Sequence, residues 1–354
     1  MTALADLLIR RIRATGPITL ADYMTDCLMH PVHGYYSTRD PFGVAGDFIT
    51  APEISQMFGE LLGLCLAQTW LDQGSPDRFT LAELGPGRGT CMADVLRATR
   101  AVPGFHSAAQ IVLVEASSTL RASQANALAA YAPLWCEAVT DLPGQPLYLI
   151  ANEFFDALPI DQFQRGPLGW HLRMVGLGDG QLTLGLSAPL PCPNPRFAAD
   201  PVGTVVEICP LAAAIAAHIG ALVRRHGGAA LIIDYGGWRS KGDTLQALRK
   251  HAPDHPLANP GEADLTAHVD FEALAIAAGD DICTPLVNQG LWLGRLGLHA
   301  RADRLAQSLR GDALQNHLGA TRRLTDPAEM GTLFKAMALY PPRSAAPPGF
   351  DKHA

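Results

Sequence analysis

The sequence predicts an α/β protein built on a doubly wound, mostly parallel seven-stranded sheet, with an N-terminal helical and loop segment and an inserted α+β region. Three observations predict it. From Phe79 onward short apolar runs alternate with helical stretches, each run reads as buried on both faces, and a glycine-rich turn joins the first run to the first helix. Composition agrees: the 354 residues are 48% hydrophobic and 17% charged, against about 25% charged in typical soluble domains, so a packed core is expected rather than disorder.

Taken in order, Leu4, Leu7, Leu8 and Ile12 follow helical spacing, and Asp6 stands among the N-terminal arginines. This reads as a surface helix of the mature protein and not a targeting peptide. Between Ile18 and Trp70 come a helix-like segment, the Gly/Pro-rich stretch HPVHGYYSTRDPFGVAGDFITAPEISQ and the apolar helix MFGELLGLCLAQTWL. A long irregular stretch inside a compact protein points to function. The alternating part then gives the strand FTLAEL, the helix CMADVLRAT, the strand QIVLVEA, the helix SSTLRASQANALAAY and the strand PLYLIAN. An insertion between Phe155 and Gly228 carries GWHLRMVGL and QLTLGLSA joined by the hairpin turn GDG, then VVEICP and a helix from Leu211 to Arg225. AALIIDYG supplies another core strand. Beyond Tyr235 the sequence predicts a polar loop, a helix starting near Asp270, a strand near Ile282 to Val287, helices from Gln289 to His317, and FKAMAL as a final edge strand. Four segments follow: 1–78, the helical segment and lid; 79–155, the cofactor-binding core; 156–228, the insertion; and 229–354, the rest of the core with the C-terminal helices.

Several functions are disfavoured. With 27 basic and 34 acidic residues the net charge is −7, which lacks the basic surface that nucleic acids require. The seven cysteines are odd in number and form no CxxC, so neither a disulfide framework nor a zinc knuckle is expected, and a reducing compartment fits. The longest apolar stretch, Leu211 to Val223, is interrupted by His218 and Gly220 and is shorter than the roughly 20 residues of a membrane span. No metal is expected: the twelve histidines offer no ligand pair on an expected helix, and His251, His255 and His268, in a polar loop, read as solvated.

The strongest chemical signal is Glu83-Leu84-Gly85-Pro86-Gly87-Arg88-Gly89, where a strand passes into a helix. Glycines there let the backbone run close beneath a ligand while the free N–H groups of the first helical turn face it. The spacing is G-x-G-x-G; a dinucleotide fingerprint needs a further glycine where Thr90 stands, and no GK[ST] follows for a P-loop. Glu83 repels a pyrophosphate but suits an ammonium group, which selects S-adenosylmethionine as the nucleoside. Glu115, ending the second strand, is positioned for the ribose hydroxyls. The adenine is expected near Trp135, Cys136, Glu137 and Asp141.

In such a sheet ligands gather at the carboxyl ends of the strands, and the fourth strand delivers Asn152, Glu153, Phe154, Phe155 and Asp156 there. A polar residue followed by aromatics at that place is how amino-group methyltransferases orient a nitrogen nucleophile; here a carboxylate is added. Guanidinium is a poor nucleophile until carboxylates pair with it, fix its plane and accept its proton. Glu153 and Asp156 have the chemistry for this, supported by Asp47 or Glu53. The plainer alternative is that Asn152 caps the following turn and Asp156 is solvated.

Together, GYYSTRDPFGVAGDFITAPEISQMFGELLG, LAELGPGRGT, ANEFFDALPIDQF, VVEICP, LIIDYGG and DLTAHVDF resemble, across nearly the whole chain, the MidA-like family of class I, Rossmann-like S-adenosylmethionine methyltransferases, which is similar to mitochondrial complex I assembly factors that methylate an arginine. The resemblance implies symmetric dimethylation of a protein arginine, in the large peripheral-arm subunit of NADH:ubiquinone oxidoreductase or a bacterial equivalent. It places Gly85, Gly87, Gly89 and Glu115 at the cofactor. It makes Gly46, Asp47, Phe48, Thr50, Pro52, Glu53, Ser55 and Gln56 a lid, and turns Asn152, Glu153 and Asp156 toward the acceptor nitrogen. With no evident organelle presequence, the chain reads as a bacterial cytoplasmic member, the related organelle proteins belonging to the mitochondrial matrix. Two other readings compete: a cofactor-binding assembly chaperone without turnover, and a nicotinamide oxidoreductase.

Overall fold

The computed structural model describes residues 2–38 and 50–351. Helices α1 (Ala3–Thr15) and α2 (Leu20–Met29) flank strand β1 (Ile18–Thr19), and the short α3 (Tyr35–Thr38) and α4 (Ala51–Ile54) precede the long α5 (Gln56–Asp72). Strands and helices then alternate: β2 (Phe79–Leu84), α6 (Thr90–Thr99), α7 (Phe105–Ala108), β3 (Ala109–Val114), α8 (Ser118–Ala127), β4 (Leu134–Cys136) and β5 (Leu147–Asn152). A run of strands follows, β6 (Asp161–Arg165), β7 (Trp170–Gly178), β8 (Gln181–Leu186) and β9 (Val205–Ile208), and then α9 (Pro210–His226). The remainder carries β10 (Gly228–Gly237), β11 (Gln246–Arg249), β12 (Ala252–Asp254), β13 (Asp264–Thr266), β14 (Val269–Asp270), α10 (Phe271–Ala278), β15 (Val287–Asn288), four helices between Gln289 and Leu333, and β16 (Phe334–Leu339).

The chain forms two compact units, one of Met1–Phe48, Asp156–Ala212 and Arg239–Val269, the other of Ile49–Phe155, Ala213–Trp238 and Asp270–Ala354. The four segments expected from the sequence follow chain order; the units instead gather separated stretches, because strand pairing joins residues far apart along the chain.

In the first unit β1, β7, β6 and β9 make an antiparallel sheet with β8 beside β7. The expected hairpin is there: Gly178 faces Gln181 across a turn in which Asp179 and Gly180 have φ of 49° and 79°, the left-handed pair that matches strand twist. Helix α1, capped by the Thr2 side chain, buries Leu4, Leu8 and Ile12 in a core with Tyr23, Met24 and Val175, each side chain contributing about 1.5–3 kcal/mol by burial. The polar loop expected beyond Tyr235 is instead partly a three-stranded sheet, β12-β11-β13. Its hairpin turns through Lys250 and His251, both at positive φ (53° and 61°), so the glycine or asparagine that normally announces such a turn is missing.

The second unit holds an eight-stranded mixed sheet in the order β15-β16-β10-β5-β2-β3-β4, not the seven strands expected; the two-residue β14 makes the eighth. β10, β5, β2, β3 and β4 run parallel, and β16 is antiparallel to β10. FKAMAL is therefore not an edge strand, since β15 pairs with its other side. The strand expected from Ile282 to Val287 shrinks to Val287–Asn288, because Asp280–Ile282 coils into a 3-10 turn. All six residues of β2 are buried, and Phe79 packs with Trp70, Phe105 and Tyr148 at ring-centroid distances of 4.9–5.9 Å. Helix α5 lies close on α6: a Cβ on Gly63 would fall 2.9 Å from the Val95 Cα. That contact fixes α6, and with it the turn that enters α6.

Candidate functional site

The β2–α6 turn takes three consecutive odd positions through left-handed backbone: φ is 57° at Gly85, 54° at Gly87 and 85° at Gly89. An L residue costs about 1–2 kcal/mol at each such position. Gly89 caps α6 with no side chain, and a Cβ there would sit 3.4 Å from the Gln124 Cα on α8. The first turn of α6 thus begins at the end of β2, where its N–H groups other than that of Met92, which Glu83 accepts, can face an anionic or dipolar group.

Glu83 is buried inside β2, and burial pushes its carboxyl up to about 8 against the opposing hydrogen bonds of the Cys91 thiol and the Met92 N–H. Its Oε2 has no hydrogen-bond partner. A buried acceptor left unmet is costly, and a cationic donor arriving there removes the cost.

Glu115, just beyond β3, accepts the Ser117 N–H at Oε1 (2.8 Å) and the Gln124 amide at Oε2 (3.1 Å), while burial raises its pKa. Trp135 is engaged by its indole N–H, which donates to Gln124 at 2.8 Å. Asp141 is exposed, its carboxylate accepting the Ala138 N–H at 3.2 Å.

At the end of β5, register pairs Ala151 with Leu84, so Asn152 follows where Gly85 follows on the neighbouring strand. Glu153 has φ of 51°, a left-handed conformation that costs a non-glycine residue and collects at functional sites. Its carboxylate accepts the Ala51 N–H at 2.9 Å and the Asn152 amide at 3.2 Å, and burial pushes it up to about 6. Asn152 is buried and its Oδ1 has no partner. The Phe154 ring lies 3.0 Å from where a Cβ of Gly85 would stand. The glycine turn and the β5 turn therefore touch.

Helix α4 joins the same neighbourhood. Glu53 accepts the Thr90 hydroxyl at 2.6 Å and lies 4.0 Å from the Arg88 guanidinium, so its carboxylate is turned to the glycine turn. Ser55 caps α5 by accepting the Met57 N–H at 3.2 Å, and Gln56 is exposed. Asp156 is buried and belongs to the first unit, where its carbonyl accepts the Ala267 N–H at 2.9 Å. Asp47, with Gly46 and Phe48, lies outside the described residues. Sequence reasoning missed Asp234, whose Oδ2 accepts the N–H groups of Phe154 and Phe155; a carboxylate ending the buried run LIID was the available signal. It also missed Gln124, for which a lone glutamine in a polar helix gave none.

A family model of S-adenosyl-L-methionine-dependent methyltransferases matches residues 61–287. The chain belongs to this family. It is 37% identical to the bovine protein arginine methyltransferase NDUFAF7, mitochondrial, over 94% of this chain and 82% of the relative, and 39% identical to the mouse protein over 94% and 83%. A crystal structure of a methyltransferase-like relative from Burkholderia thailandensis, bound to S-adenosyl-homocysteine, superposes with a TM-score of 0.83 at 29% identity, covering 98% of this chain and 94% of that one. The protein is thus a methyltransferase whose cofactor is S-adenosylmethionine, and the residues present fit it: a left-handed glycine turn, an unmet buried carboxylate oxygen, and a second acid at the next strand end. All seven cysteines are free thiols. Among the described residues no helix is long and apolar enough to cross a membrane, and no group of three or more His, Cys, Asp or Glu side chains stands ready to hold a metal.

Proposed function

We propose that this doubly wound methyltransferase transfers a methyl group from S-adenosylmethionine to a guanidinium nitrogen of a protein arginine. The observation that carries the proposal is the adjacency of two turns, each presenting a buried acceptor without a partner: Glu83 Oε2 beside the glycine turn and Asn152 Oδ1 beside Glu153. The first acceptor suits an ammonium group and the second a guanidinium N–H. The arginine methyltransferase names of the mammalian relatives support the same acceptor.

In this reading Gly85, Gly87 and Gly89 receive the amino-acid end of the cofactor, Glu83 its ammonium group and Glu115 its ribose hydroxyls. Asp141 flanks the adenine side. Ser55, Gln56 and Glu53 belong to the cover over the cofactor. Bound there, the cofactor supplies an electrophilic methyl group on a sulfonium. The chain's own work falls to the β5 turn. Asn152 Oδ1 accepts one guanidinium N–H and Glu153 pairs with the plane, leaving one nitrogen lone pair directed forward. As the new N–C bond forms and the S–C bond breaks, the surplus proton leaves the nitrogen for the Glu153 carboxylate, and from there passes to water. The acceptor is the large peripheral-arm subunit of NADH:ubiquinone oxidoreductase or its bacterial equivalent, the product is symmetric dimethylarginine, and the free thiols favour a reducing, cytoplasmic setting.

The test is direct. Purified protein incubated with methyl-labelled S-adenosylmethionine and that subunit is expected to place label on one arginine, located by mass spectrometry. If the cofactor binds and no label transfers, the enzyme reading fails and a cofactor-dependent chaperone takes its place. A fluorescence titration with NADH is expected to show no binding.

A further inference from the structure

The Gln124 side chain, buried on α8, makes three hydrogen bonds. Its Nε2 donates to the Gly87 carbonyl at 2.8 Å and to Glu115 Oε2 at 3.1 Å, while its Oε1 accepts the Trp135 indole N–H at 2.8 Å. Chemistry fixes which way the amide points: an indole N–H only donates, whereas a carbonyl and a carboxylate oxygen accept. One side chain therefore spans the middle glycine of the β2–α6 turn, the acid beyond β3 and the aromatic of β4.

We infer that Gln124 is the positioning residue of the cofactor site, holding the Glu115 carboxylate at the angle that reads the ribose and tying it to the glycine turn. The inference rests on the proposed role of Glu115. With Oε1 engaged by the Ser117 N–H, Oε2 by Gln124, and the Ala116 N–H also donating to the carboxylate, the group is held in one orientation. Trp135 acts at one remove. By occupying Oε1 of the amide it forbids the flipped orientation, in which an oxygen would face Glu115 and the Gly87 carbonyl and repel both. Among the described residues Gln124 is the α8 side chain that bonds both the glycine turn and the Glu115 carboxylate, while Arg121 of the same helix donates to the Glu115 carbonyl.

Calorimetry with S-adenosylhomocysteine and its 2′-deoxyribose analogue tests this. Wild type is expected to bind the parent at least about tenfold more tightly, the size of one hydrogen bond to a charged group. Wild type binding both ligands equally would overturn the ribose role of Glu115 itself. With that preference present, Gln124→Met, similar in length and without polar atoms, is expected to bring the ratio close to one. Trp135→Phe, which only frees the amide to flip, is expected to reduce it by a smaller factor. A Gln124→Met protein that is folded by circular dichroism, binds both ligands more weakly and keeps the wild-type ratio would show packing alone and overturn the inference. Should Gln124→Met not fold, Trp135→Phe decides by the same ratio.

Discussion

The Asp234 carboxylate, where the fully buried part of β10 ends, accepts the backbone N–H of Phe155 at 3.0 Å, and the same oxygen accepts that of Phe154 at 3.2 Å. Its other oxygen accepts the Tyr235 N–H at 2.9 Å. Three backbone donors converge on one buried acid, and the β5 turn takes its shape from it.

Asp234→Asn replaces one accepting oxygen by an amide that only donates, so at least one of those N–H groups loses its partner. A cost of about 1–3 kcal/mol in denaturant unfolding is expected. Cofactor affinity should stay within about threefold while methyl transfer falls at least tenfold, because the turn that presents Glu153 relaxes. Equal losses in both would place Asp234 in the cofactor site instead.

Glu153→Gln keeps size and backbone but removes the charge. Cofactor affinity is expected to hold while single-turnover methyl transfer drops by about 10²-fold or more. The wild-type rate should also depend on pH. Burial raises Glu153 to about 6, so the carboxylate form is lost as pH falls through that value and the rate falls with it. In Glu153→Gln this limb should vanish; its persistence would assign it elsewhere.

For Glu83 the sign runs the other way with respect to folding. A carboxyl raised to about 8 in the fold prefers its proton there, so its contribution to stability is full below the ordinary carboxylate range and is lost as pH rises toward 8. Glu83→Gln should therefore flatten the decline in melting temperature between pH 5 and 8. Cofactor binding demands the carboxylate, so affinity for S-adenosylmethionine should rise with pH over the same window and release a proton, detectable by calorimetry in buffers of different ionisation enthalpy. PH-independent affinity would remove Glu83 from the ammonium site.

Gly87→Val forces a β-branched residue to a φ of 54°, a genuine strain for such a side chain. Cofactor binding is expected to be lost in a protein that still folds, and Gly85→Ala should be milder, since its Cβ meets only the edge of the Phe154 ring at 3.0 Å. Unchanged calorimetric affinity of Gly87→Val would reject the placement of the cofactor over this turn.

Much of the second unit was legible in the sequence because its signals are local. FTLAEL, IVLVE and LYLIAN are apolar runs with an acid or an amide at or next to their last position, and the register of β2, β3 and β5 brings those ends to one edge. The hairpin of β7 and β8 was legible for the same reason, its GDG turn carrying the required glycine. What escaped was non-local or unmarked. Lys250 and His251 turn a hairpin in the left-handed region with no residue type to announce it. β1, two residues long, finds its partner β7 more than 150 positions later. Within the site, the Thr90 hydroxyl donates to Glu53 across 37 positions, and the tie from Asp234 to the β5 turn joins residues 79 and 80 positions apart.

The four-residue helix α4 is latched at two points: Glu153 takes the Ala51 N–H, and Thr90 donates to Glu53. The two latched residues, Ala51 and Glu53, stand within one turn of the same short helix, so they ride on a single piece. Methyl donor and methyl acceptor then share a common clasp, and each should alter the apparent Michaelis constant of the other.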